Sequence, residues 1–65
     1  MKKFMHEISR EQAEELFQIS RILEKKIEQT SEELKLSFSL SNKNSLQIIY
    51  NLKNHHQTYF AKIPP

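Results

Sequence analysis

Histidine is the side chain in this sequence best suited to acid–base chemistry or metal binding, and the chain has three of them. His55 and His56 are adjacent, and neighbouring residues of an extended chain point to opposite sides, so the pair would chelate one metal ion poorly. His6 lies far from both along the sequence. No spacing of serine, glutamate and histidine singles out a catalytic triad.

Several residue types that common catalytic sites require are missing. The sequence contains no cysteine, no glycine and no aspartate. These absences exclude disulfides and zinc–thiolate clusters, glycine-rich phosphate loops and dinucleotide fingerprints, and aspartate-based calcium loops. We therefore expect a protein that is not an enzyme, with no catalytic, cofactor-binding or metal-binding residues.

Charge is distributed unevenly along the chain. All 8 acidic residues are glutamates within residues 1–33, whereas the carboxyl-terminal half has only lysine as a charged residue. Dispersed lysines are typical of a sheet face whose solubility depends on lysine side chains. A basic half of the chain also suits a nucleic-acid-binding regulatory protein. The residues for that alternative function are Lys35, Lys43, Lys53, Lys62, His55 and His56.

With 65 residues, the sequence predicts a single domain over 1–65 with a marginal core. Small domains usually gain stability from disulfides, metals or association, and the first two are missing here. Association is the remaining route, so we expect a homodimer or a protein partner. The amino terminus lacks a signal-peptide core and no segment is long and apolar enough to span a membrane, which favours a cytoplasmic location.

A long amphipathic helix is predicted over residues 9–31. Ser9 and Gln12 have the spacing of a capping box at its start. Apolar and small residues then recur at three- and four-residue steps, at Ala13, Leu16, Phe17, Ser20, Leu23 and Ile27. Ile19 and Ile22 disagree with this pattern, because Ile19 lies at the edge of the apolar stripe and Ile22 lies outside it.

Alternating apolar and polar residues predict strands over about 34–41 and 45–53, joined by a turn at residues 42–44. Pairing Ser41 with Ser45 would place Leu40 opposite Leu46, Phe38 opposite Ile48 and Leu36 opposite Tyr50. These apolar side chains would share the face that the helix covers. A third strand over about 58–63 would direct Tyr59, Ala61 and Ile63 to the core and Phe60 outward if the preceding loop has two or four residues, and the reverse if it has three. We favour the first register, because it buries three apolar residues and exposes one.

The predicted fold is therefore α+β, with one long helix packed on a three-stranded antiparallel sheet in the order α-β-β-β. An additional short amino-terminal strand, formed by Phe4, Met5 and Ile8, is a further possibility that the pattern leaves open.

The outer face of this sheet is the predicted partner-binding surface. Ile49 interrupts the polar alternation of its strand, and Phe60 would lie beside it. The face consists of Ser37, Ser39, Gln47, Ile49, Asn51 and Phe60, a patch with an apolar centre and a polar rim. It predicts a small protein-binding inhibitor, adaptor or regulatory subunit, of the kind that phages and mobile elements often encode.

A second mode of association uses the helix. Ile19 and Ile22, together with Leu16 and Leu23, would pair across a two-fold axis and form a helix-mediated homodimer.

Overall fold

The protein is a small antiparallel sheet with one short helix, and the computed structural model describes residues 5–62. The elements in chain order are β1 (His6–Ile8), α1 (Arg10–Ile19), β2 (Ile22–Gln29), β3 (Glu33–Leu40), β4 (Ser45–Asn51) and β5 (Gln57–Lys62). The strands form one five-stranded sheet in the order β1-β5-β4-β3-β2. Every neighbouring pair is antiparallel.

The prediction of a long helix over 9–31 on a three-stranded sheet is wrong. Helix α1 has 10 residues and ends at Ile19, and Ser20 is already extended, with φ −128° and ψ 154°. Residues 22–29 form β2, which pairs with β3. Leu23 and Ile27 fit a helical stripe, but in β2 Ile27 lies opposite Leu36 and Leu23 lies in a bulge between Ile22 and Glu24. Pairing with a neighbouring strand overrides weak local helix propensity.

The start of the helix was predicted correctly. The Ser9 amide donates to Gln12 Oε1 at 3.0 Å, and the Gln12 amide donates to Ser9 Oγ at 3.1 Å, so both halves of the capping box are present.

Where the helix was expected to end, the chain instead makes a hairpin turn. The Thr30 amide donates to the Glu33 carbonyl at 2.8 Å. Thr30 Oγ1 accepts from the amides of Glu32, at 3.3 Å, and Glu33, at 3.0 Å. A hydroxyl that bonds to the backbone two or three residues ahead favours a turn over a helix interior, and this turn joins β2 to β3.

The predicted pairing of β3 with β4 is shifted. Ser39, rather than Ser41, lies opposite Ser45, and Phe38, rather than Leu40, lies opposite Leu46. Because opposed residues change by two positions, each side chain stays on its predicted face of the sheet.

The cause of the shift lies at Ser41, which bonds to the start of β2. Its amide donates to the Arg21 carbonyl at 2.9 Å, and its Oγ accepts from the Arg21 amide at 3.0 Å. The three-residue turn therefore occupies Ser41–Lys43, where Asn42 and Lys43 both have φ of 64°.

Two predictions agree with the structure, one about the faces of β5 and one about an additional strand at the amino terminus. Ala61 is buried and Tyr59 packs against the core, while Phe60 lies opposite Gln47 on the other face. An additional amino-terminal strand is present, with Ile8 opposite Tyr59. Phe4 and Ile63, also named in these predictions, lie outside the described residues.

The core lies at one end of the sheet, which we call the closed end. Its buried residues are Ala13, Leu16, Leu40, Leu46 and Ala61. Phe17 of the helix contacts Phe38 of β3 edge-on, with ring centroids 5.2 Å apart. A helix of 10 residues is only about 15 Å long, so α1 covers part of the sheet rather than all of it.

Candidate protein-binding face

Beyond the reach of α1, the helix-side face of the sheet continues as an apolar surface. Cross-strand pairing aligns Ile27 with Leu36 and Leu36 with Ile48, and it places Leu34 opposite Tyr50. We call these five residues the open apolar face.

The open apolar face is incompletely buried. Leu34, Leu36, Ile48 and Tyr50 are each half-buried, and Ile27 is 59% exposed. Together with Gln57 and Tyr59, the four half-buried side chains line a shallow groove. In a domain this small, a contiguous apolar surface of this kind is a candidate site of contact with another molecule.

Hydrogen-bonded aromatic residues form one border of the groove. The Tyr50 hydroxyl bonds to His55 Nδ1 at 2.7 Å, and the Tyr59 hydroxyl donates to Gln57 Oε1 at 2.6 Å. His55 adopts φ of 61° in the turn between β4 and β5, which brings its ring to Tyr50. The histidine thus positions an aromatic side chain at the edge of the groove.

The outer face also brings its predicted residues together. Ser37, Gln47 and Phe60 lie in one cross-strand row, and Ile49 lies opposite Thr58, diagonal to Phe60. Ser39 is opposite Ser45, and Asn51 is opposite Glu33. The residues of the outer patch therefore lie close together, as predicted from the sequence. The patch has two large apolar side chains, however, whereas the open apolar face has five.

The remaining predicted contact residues lie on two different elements. Ile19 is the last residue of α1 and is 66% exposed, whereas Ile22 lies on β2 and is 52% exposed. Leu16 is buried in the core, and Leu23 belongs to β2. Helix α1 ends before Ile22 and Leu23, so the four residues do not share the helix face that this mode requires. That the chain forms a homodimer stays a prediction.

The basic residues are separated along the molecule. Lys43 and Lys53 lie in the turns at opposite ends of β4, and Lys62 lies opposite Ser45 on β5. Lys35 Nζ is 3.6 Å from Glu28 Oε1, and Lys53 Nζ is 3.7 Å from Glu32 Oε2. Two of these lysines are therefore paired with glutamates, and the nucleic-acid alternative stays a prediction.

His55 and His56 share the turn between β4 and β5 but have different surroundings. The His56 amide donates to Asn54 Oδ1 at 2.8 Å, a bond within the turn. Among residues 5–62, no group of three or more histidine, cysteine, aspartate or glutamate side chains is arranged to hold a metal ion. Over the same residues, no helix has the length and apolar character needed to cross a membrane.

Comparison of the chain with protein-family models, with curated proteins and with solved structures finds no match.

Sequence reasoning assigned Leu36, Ile48 and Tyr50 to a core beneath a long helix, and so missed the open apolar face. One signal could have revealed it. Ile19 and Ile22 disagreed with the helical stripe, which marks the point where the helix ends. A shorter helix leaves part of an apolar sheet face without a cover.

Proposed function

We propose that this chain is a non-enzymatic protein-binding module, acting as an inhibitor, adaptor or regulatory subunit, and that its partner binds the open apolar face. One observation carries the proposal. Five large apolar side chains from three neighbouring strands share the helix side of the sheet at the end that α1 does not reach.

The shape of this surface favours a partner that contributes an amphipathic helix. A sheet with an apolar face is normally covered by helices or by a second sheet. The partner's helix would lie beside α1 and cover Leu34, Leu36 and Ile48. The hydroxyls of Tyr50 and Tyr59, held by their hydrogen bonds to His55 and Gln57, would form a polar border on one side of this apolar contact.

Two acidic substitutions on opposite faces of the sheet test the proposal. Leu36→Glu changes the open apolar face, and Ile49→Glu changes the outer patch at a residue that is also half-buried. We expect a native-host protein that is retained by the wild-type chain to be lost with Leu36→Glu and kept with Ile49→Glu. Circular dichroism tests whether both variants are folded. If the glutamate at position 36 unfolds the chain, Leu36→Ser provides a milder change.

The other results of this capture experiment are equally informative. Loss with Ile49→Glu alone would move the binding site to the outer patch. Retention by both variants would contradict binding by either face. Retention that disappears after nuclease treatment would favour the nucleic-acid alternative. The cytoplasmic location stays a prediction, and fractionation of the host cell tests it.

A further inference from the structure

Strand β2 is an open edge of the sheet. It is the last strand in the order β1-β5-β4-β3-β2, and all 8 of its residues are exposed. Ile22, Leu23 and Ile27 are 52%, 68% and 59% exposed, respectively. A long edge strand with exposed apolar side chains is a ready template for pairing with another strand.

The backbone of β2 shows which residues are available for such pairing. The bond from the Thr30 amide to the Glu33 carbonyl joins the two residues that flank the turn, which makes them a hydrogen-bonded pair. Because bonded and non-bonded pairs alternate in an antiparallel ladder, Glu28 and Lys26 direct their backbone groups toward β3. Gln29, Ile27 and Lys25 direct theirs away from the sheet, toward the open edge.

We propose that a second copy of this chain pairs with β2 along this edge, antiparallel and about a two-fold axis at Ile27. Each Ile27 then lies opposite the Ile27 of the second copy. Lys26 of each copy lies opposite Glu28 of the other, so that two opposite-charge pairs form, and Lys25 lies opposite Gln29. The product is a continuous sheet built from both copies.

Charge distinguishes this register from its neighbours. With the axis at Lys26, that lysine would face itself and Glu24 would face Glu28. With the axis at Lys25, Lys25 of one copy would face Lys25 of the other. Directly opposed like charges destabilise a sheet, whereas opposed unlike charges stabilise it. Only the axis at Ile27, of these three, opposes no like charges.

Lys26 and Glu24 face uncharged residues of β3 in their own chain, so their charges remain available to a second copy. Lys26 lies opposite Ser37 and Glu24 lies opposite Ser39, both uncharged residues. Within residues 5–62, neither Lys26 nor Glu24 takes part in a salt bridge. Glu28 contacts Lys35 on its own chain, through exposed side chains that can be shared with a second lysine.

This inference stands independently of the proposed function, but it adds to it. A two-fold axis perpendicular to the sheet keeps the helix side of both copies on the same side. The open apolar faces of the two copies then meet at Ile27. The dimer would therefore present one doubled apolar surface flanked by two helices.

Sedimentation of the full chain at about 100 μM tests the proposal. We expect a dimer of the 7.8 kDa chain. Lys26→Glu opposes two glutamates at each of two positions, so the dimer dissociation constant should rise at least about tenfold. Glu24→Lys is the matched control, because Glu24 faces the uncharged Thr30 in this register, and it should leave the constant unchanged.

Mixing two variants tests whether association that each variant has lost is restored in a heterodimer. Lys26→Glu and Glu28→Lys should each weaken self-association, yet together they should form a heterodimer in which all the opposed charges are again unlike. A wild-type chain that stays monomeric would overturn the proposal. So would a dimer that tolerates Lys26→Glu and Ile27→Lys, or one that Glu24→Lys weakens as strongly as Lys26→Glu does.

Discussion

The two ends of the helix-side sheet face have similar side chains but opposite surroundings. At the closed end, α1 packs on Leu40 and Leu46, which are 2% and 0% exposed. At the open end, Leu36 and Ile48 occupy the same strands and the same face, yet both are only half-buried. The difference is the length of the helix, so the same alternating pattern stabilises the fold at one end and leaves an apolar surface without a cover at the other.

The largest effect that this comparison predicts is on stability. Leu46→Ala should lower the free energy of unfolding by about 2–5 kcal/mol, because it leaves a cavity in a filled core. A domain of this length has roughly 3–10 kcal/mol in total, so much of the chain would unfold at 37 °C. Leu36→Ala, at the open end, should cost less than about 1.5 kcal/mol.

Urea denaturation followed by circular dichroism measures both changes. If Leu36→Ala and Leu46→Ala proved equally destabilising, the open end would be as well packed as the closed end, and the comparison would fail.

The helix cap provides the next test, since it holds the element that closes the core. Ser9→Ala removes the hydroxyl that accepts from the Gln12 amide and should cost about 1 kcal/mol. Gln18→Ala, at an exposed position on the same helix, is the control and should change stability little. Hydrogen exchange should speed up in α1 for the first variant alone; equal exchange in both would show that the cap does not hold the helix.

The turns at the two ends of β4 should differ by a smaller amount. Lys43 has φ of 64°, a left-handed conformation that favours glycine, so Lys43→Gly should stabilise the protein by about 0.5–1 kcal/mol. His55 has φ of 61°, but His55→Gly also removes the bond to Tyr50. Its gain should therefore be smaller, and thermal unfolding of the two variants compares them. An equal gain would mean that the Tyr50 contact contributes nothing.

Local patterns predicted several elements of this fold, although the predicted architecture was wrong. The capping box placed the start of α1, and strict alternation placed β3, β4 and the faces of their side chains. These features depend on neighbouring residues alone. The existence of β2 does not, because Leu23 and Ile27 suit a helix as well as a strand, and only pairing with β3 decides between them.

The same limit applies to the candidate site. That Leu36 and Tyr50 lie on the helix side follows from alternation. Whether anything covers them depends on where the helix ends. Positions 20 and 21 are serine and arginine, so neither a glycine nor a proline marks that end. The bond between Arg21 and Ser41 that sets the register joins residues far apart in the sequence.

The pairing of β1 with β5 also governs when the protein can fold during its synthesis. His6 lies opposite Ala61, so the first strand has no neighbour until the last strand has left the ribosome. Ala61 is also part of the surface on which α1 packs. The meander from β2 to β4 can therefore emerge and pair before β5 completes the surface on which α1 packs, and apolar surface exposed at that stage favours aggregation.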